Sequence, residues 1–95
     1  MHVVWTRRSL RELAAIGDYI AEHNPPAAAK VVKDIHRRTV QLLTANPFIG
    51  RSGEIEGTRE LVLPNLPYIV AYRVRDEQVE VLFVQHAARE WPDEF

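Results

Sequence analysis

No cysteine occurs in these 95 residues, which removes disulfides, thiolate metal sites and cysteine nucleophiles together. Lysine is almost missing as well: Lys30 and Lys33 stand alone, and arginine carries the remaining positive charge. Arginine offers a planar fork for phosphates, carboxylates and aromatic faces. There is no basic excess either, since 12 Lys+Arg against 13 Asp+Glu leave a formal net charge of -1. A protein that gripped a long nucleic acid through its phosphates would carry a clear positive surplus. No apolar run approaches the roughly 20 residues of a membrane span. The start MHVVWTRRS has no long apolar stretch behind a basic end, so no secretory signal is expected, and a cytoplasmic location follows as the expectation. His2, His23, His36 and His86 show no metal-ligand spacing, so neither zinc nor any other cofactor is expected.

What remains suits a single domain over 1–95. At 46% hydrophobic it can build a thin core, because a chain this short buries only about two-thirds of its unfolded surface. His2 to Trp5, HVVW, is short, β-branched and aromatic and reads as a strand. A helix follows, with Ser9 and Glu12 at capping-box spacing and Thr6 as a rival cap. Leu10, Leu13, Ala14, Gly17, Ile20 and Ala21 recur at helical spacing on one face. Asn24-Pro25-Pro26 breaks the helix and opens a second, with Asn24 as cap and Pro25 in the first turn, running to about Ala45. Its apolar face holds Ala28, Val31, Val32, Ile35, Thr39 and Leu42. The tight break makes the two helices an antiparallel hairpin.

Asn46-Pro47 ends that hairpin, and Gly50, Gly53 and Gly57 punctuate a loop in which Glu54 and Glu56 read as solvated charges. Three strands are expected next, Thr58 to Leu63, Tyr68 to Arg75 and Val79 to Gln85, joined at Pro64-Asn65-Leu66-Pro67 and at Asp76-Glu77. The expected class is therefore α+β, in the order β-α-α-β-β-β. An antiparallel sheet packs against an α-helical hairpin on one face and has no evident cover on the other.

This organisation resembles the RelE/ParE family of type II toxin–antitoxin toxins. The resembling pieces are VVWTRRSLRELAAIGDYIAEHNPPAA, then Pro47 and Gly50 in NPFIG, then GTRELVLPNLPYIVAYRVRDEQVEVLFVQHAAREWP. The last stretch matches a pattern in which an arginine (Arg59) opens a strand, a YxVxYRV strand (Tyr68 to Val74) follows, and VxHxxR (Val84 to Arg89) closes. The resemblance implies a growth-inhibiting, plasmid-stabilisation type of toxin with a small cognate antitoxin, ParD-like on the ParE branch. ParE-type members poison DNA gyrase, leaving it stalled on cut DNA. RelE-type members cleave mRNA on the ribosome.

Metal-free RNA cleavage needs a base for the 2′-OH, cations for the phosphate and an acid for the leaving oxygen. Arg59, Arg73 and His86 are the candidates, with His86 alone having an ordinary pKa near neutrality. Three features favour the ParE branch. Ile69 follows Tyr68 where many RelE-like nucleases carry an arginine, the net charge of -1 suits a protein surface better than ribosomal RNA, and Glu60 and Leu61 stand beside Arg59 where the nuclease needs lysines. On that reading no residue is catalytic, and Lys30, Lys33, Arg37, Arg38, Arg89 and Trp91 are the candidates for binding the target. A third reading is an inactive toxin fold that serves only to bind antitoxin. Arg73 also fits a plain cross-strand partner for Glu60 or Glu80, and His86 a strand-end cap.

Overall fold

The structure is a computed structural model and describes residues 1–88. Strand β1 (His2–Trp5) leads into helices α1 (Arg7–Ala21) and α2 (Pro25–Ala45), followed by β2 (Arg51–Ser52), β3 (Arg59–Val62), β4 (Tyr68–Arg75) and β5 (Gln78–His86). The sheet order is β1-β5-β4-β3-β2. The β3-β4-β5 meander is antiparallel as expected, with Asp76 and Glu77 at its hairpin turn, both at positive φ (53° and 59°). Two details differ from the sequence reading. The sheet is mixed, because β1 lies parallel to β5 with His2 opposite Gln78, and the glycine-punctuated loop contributes the two-residue strand β2 against Glu60 and Arg59.

Thr6 is the residue that caps α1. Its side chain accepts from the Ser9 amide at 3.1 Å, and Ser9, instead of capping, is buried and donates its hydroxyl to the Thr6 carbonyl. The same threonine ties the helix to the sheet: its N–H reaches the Val81 carbonyl and its hydroxyl the Leu82 carbonyl, each at 3.1 Å. That tether turns Ser9 and Leu13 inward and leaves Leu10, expected on the apolar face, 49% exposed. Asn24 caps α2 as expected, accepting from the Ala27 amide. Ala28, Ile35, Thr39 and Leu43 are buried along it. Gly17 lets the helices approach closely, for a Cβ there would stand 3.0 Å from a Val32 methyl.

The hairpin lies on the face carrying Tyr68, Val70 and Tyr72 of β4, Val79 and Val81 of β5, and Leu61 and Leu63 from the β3 strand and its end. Each fully buried Ile or Leu there contributes about 1.5–3 kcal/mol relative to exposure. Between Ala71/Phe83 and Tyr72/Val81 the register slips, so Leu82 is an extra residue on β5. The other face is not bare: Ala71, Leu82 and Phe83 form a second buried cluster, and the Arg8 guanidinium sits 5.1 Å from the Phe83 ring centre. No described helix is long and apolar enough to cross a membrane.

Candidate functional site

Cross-strand partners share a face of a sheet, and successive residues alternate, so the pairing decides which candidate side chains can meet. Arg59 is opposite Tyr72 and His86 opposite Tyr68, both on the face that carries the helices. Arg73 is opposite Glu80, one position out of phase and therefore on the other face. Tyr68 and Tyr72 are four residues apart, so Arg59 and His86 are separated by about 13 Å along β4. The trio thus converges on no single point.

Each member also has a local occupation. The Arg59 guanidinium donates to the Gly50 carbonyl at 2.9 Å and the Phe48 carbonyl at 3.2 Å and lies 5.3 Å from the Phe48 ring centre. Arg73 donates to Glu80 at 2.9 Å. His86 packs edge-on against Tyr68 at 5.6 Å, and its Nδ1 accepts from the Ala88 amide at 3.2 Å, the strand-end role weighed from the sequence. Around the turn into β2, Tyr72 is wholly buried and its hydroxyl accepts from the Gly50 amide at 2.8 Å. Burial pushes the Tyr72 pKa above its ordinary 10, against smaller lowering effects from that amide and from the Arg59 charge. Burial also raises Tyr68.

The basic candidates on α2 separate into two places. Lys30, Lys33 and Arg37 border an open groove of about 860 Å³ whose floor includes Leu13 and Val32. Arg37 is partly neutralised there by Asp34 at 3.2 Å. His36, at the same groove, stacks on Trp5 at 4.9 Å. Arg38 turns away and donates to the Pro64 carbonyl. Arg89 and Trp91 lie outside the described residues. Among the described residues no cluster of three or more His, Asp or Glu could hold a metal ion.

One contact escaped the sequence reading. Glu12, noted there only for its capping-box spacing, accepts the Val84 amide at 2.9 Å through Oε1 and faces Arg8 through Oε2. No local pattern announces a bond spanning 72 positions; the capping-box spacing drew attention to Glu12 for a different reason.

Comparison with known proteins fits this architecture. The model for the ParE toxin of the type II toxin–antitoxin system parDE matches residues 3–91. The chain belongs to the ParE toxin family. The Sinorhizobium fredii protein Y4kP is similar to this ParE-family chain at 49% identity over 88 residues, 93% of this chain and 90% of that one. Toxin RelE2 of Caulobacter vibrioides is 36% identical over 87 residues, 92% of this chain and 96% of that one. Among solved structures, the chromosomal ParDE system of P. aeruginosa superposes with a TM-score of 0.82 at 32% identity, covering 90% of this chain and 95% of that one. The protein is a type II toxin of the ParE/RelE family, and its β-α-α-β-β-β plan with a short added strand is the plan of that family.

Proposed function

We propose that this ParE-family toxin arrests growth by binding DNA gyrase in the cytoplasm, without catalysis of its own, and is silenced by a cognate ParD-like antitoxin. The observation that carries the reading is the sheet register. It sets Arg73 on the opposite face from Arg59 and His86, so a base, an acid and a phosphate-binding cation do not surround one point as RNA cleavage requires. The target surface on this reading is the groove edged by Lys30, Lys33 and Arg37. Arg38, engaged at Pro64, contributes less. The named relatives in the ParDE and RelE groups support a toxin paired with an antitoxin.

Purified protein incubated with gyrase and plasmid DNA, beside a translation reaction carrying ribosome-bound mRNA, tests the proposal. Linearised DNA after protein digestion is expected, with the mRNA intact. Cut mRNA with undamaged DNA would replace this reading with the ribosome-dependent nuclease, and no effect in either reaction would favour an inactive antitoxin-binding module. Reversing Lys33 and Arg37 to Glu together should abolish growth arrest while the circular dichroism spectrum stays unchanged.

A further inference from the structure

The outer face of the sheet is covered, yet among the described residues no helix or strand lies over it. Strand pairing puts Ile69 with Gln85, Ala71 with Phe83 and Arg73 with Glu80 on that face, while α1 and α2 pack on the other. A sheet face without a layer over it stands in water. Here Phe83 is 1% exposed, Ala71 0% and Ile69 8%. The Arg8 guanidinium over the Phe83 ring is too small to shield a stripe that spans two strands. Arg8, Arg73, Phe83 and Gln85, which bring charge, polarity or a ring to this face, are each engaged in more than the contacts described above.

Residues 89–95, REWPDEF, continue the chain from this place. A turn occupies Ala87 and Ala88 just past β5, its amides held by the Pro67 carbonyl and by Nδ1 of His86. The segment has no slot in the plane of the sheet, because one side of β5 holds β4 and the other holds β1, Thr6 and Glu12. Pro92 also lacks an amide for a ladder. Any packing of the segment on the protein is therefore over a face. Three residues span at most about 10 Å, and Phe83 stands three residues before His86, about 10 Å along the strand. A chain that doubles back at the turn brings Trp91 level with Phe83, and Asp93 and Glu94 continue toward Arg73. On the helix side, by contrast, the pocket of about 570 Å³ between α1 and Tyr68 beside Ala88 is open, and Tyr19 there is 68% exposed.

We infer that residues 89–95 fold back across the outer face as its cover, with the Trp91 indole on Phe83 and Ala71 and the carboxylates of Asp93 and Glu94 toward Arg73 and Arg8. An indole buries enough surface to close a stripe of this width. The segment carries one arginine against three carboxylates, complementary to the two arginines it meets. The cover gives Trp91 a place in the fold instead of in a target interface. It also lays an acidic stretch beside Arg73, where it repels the phosphates of an RNA strand. None of this depends on the gyrase reading.

The test uses the full-length chain. In nuclear Overhauser spectra of the unaltered protein, the Trp91 indole protons should give cross-peaks to the Phe83 ring and the Ala71 methyl. A sample mixed from labelled and unlabelled chains should show that these peaks arise within one chain. Trp91→Ala should lower the urea midpoint by about 1 M or more, the loss expected when a buried ring is removed, and should bind a dye that lights up on exposed apolar surface. Cross-peaks from Trp91 to Tyr19 and Ile16 would move the segment to the pocket beside α1 and overturn the inference. Peaks found only between chains would give the cover to a second copy and overturn it too. So would a Trp91 without cross-peaks to any apolar side chain, or a Trp91→Ala protein with the parent's midpoint and no dye binding. The spectra of the unaltered protein decide the matter even where Trp91→Ala fails to fold.

Discussion

Past Trp5, where β1 stops, the outer side of β5 is met by side chains of the protein itself: Thr6 takes the Leu82 carbonyl and Glu12 takes the Val84 amide. Past Ser52, where β2 stops, no described group meets the outward backbone N–H and C=O of Val62, and apolar side chains crowd the gap instead. Both stretches are strand edges of the same sheet, built with the same open-edge problem. At one, the first turns of α1 close the edge with a hydroxyl and a carboxylate. At the other, the chain is drawn away at Gly50 by the Tyr72 hydroxyl and the edge stays open. An edge closed by the fold contributes stability, and an edge left open forgoes that contribution.

The largest effect that separates the two edges should come from the residue that pulls the chain away. Tyr72→Ala removes a wholly buried ring and frees the Gly50 amide, and should cost about 4 kcal/mol in urea unfolding. A loss below about 1 kcal/mol would show that the loop before β2 is held by other means. Gly50→Ala should cost about 2 kcal/mol, since the new methyl meets the Tyr72 ring and the Glu60 backbone. At the closed edge, Glu12→Ala should cost about 1 kcal/mol and turn the Val84 amide from slow to fast exchange. An unchanged Val84 amide would mean that the glutamate does not close that edge.

A gentler probe is alkaline pH. The Tyr72 pKa is raised in the folded protein, so its contribution is fully present below the ordinary value near 10 and is lost as pH rises through the higher folded value. Chemical denaturation at increasing alkaline pH should show stability falling beyond pH 10. The fall should be shallower in Tyr72→Phe, with the raised Tyr68 accounting for part of what remains. Identical profiles for the two proteins would remove Tyr72 as the cause. The smallest effect is expected at His86→Ala, no more than about 1 kcal/mol for its bond to Ala88, with growth arrest retained. A folded His86→Ala protein that neither arrests growth nor cuts ribosome-bound mRNA, beside a parent that does both, would restore the nuclease reading.

Local patterns carried most of the fold. The Asn24-Pro25-Pro26 break, the helical spacing of Ala28, Ile35 and Thr39, and the strand from Tyr68 to Arg75 all reappear in the structure within a residue or two. What local patterns could not carry is distance. The parallel partner of β1 and the Val84 bond of Glu12 join residues more than 70 positions apart. The exposure of Leu10 follows from the tether at Thr6, which rotates α1 to suit the sheet. The candidate trio illustrates the same limit: Arg59, Arg73 and His86 are the right residue types for cleavage, but the pleat sends Arg73 to the other face. The basic groove was legible in part, because Lys30, Lys33 and Arg37 recur at helical spacing, whereas the departure of Arg38 depends on where Pro64 falls.

The parallel seam between β1 and β5 has a consequence in time. His2 meets Gln78, and Thr6 meets Leu82, 76 positions later. Synthesis adds about 5–20 residues each second, so β1 waits several seconds after its own appearance for a strand to pair with. Until β5 is made, α1 lacks the Val81 and Leu82 carbonyls that fix its start, and Glu12 has no amide to hold. Translation that stops anywhere ahead of Gln78 leaves a hairpin of helices and a partial meander with no seam to join them, so a fragmentary transcript yields no assembled toxin.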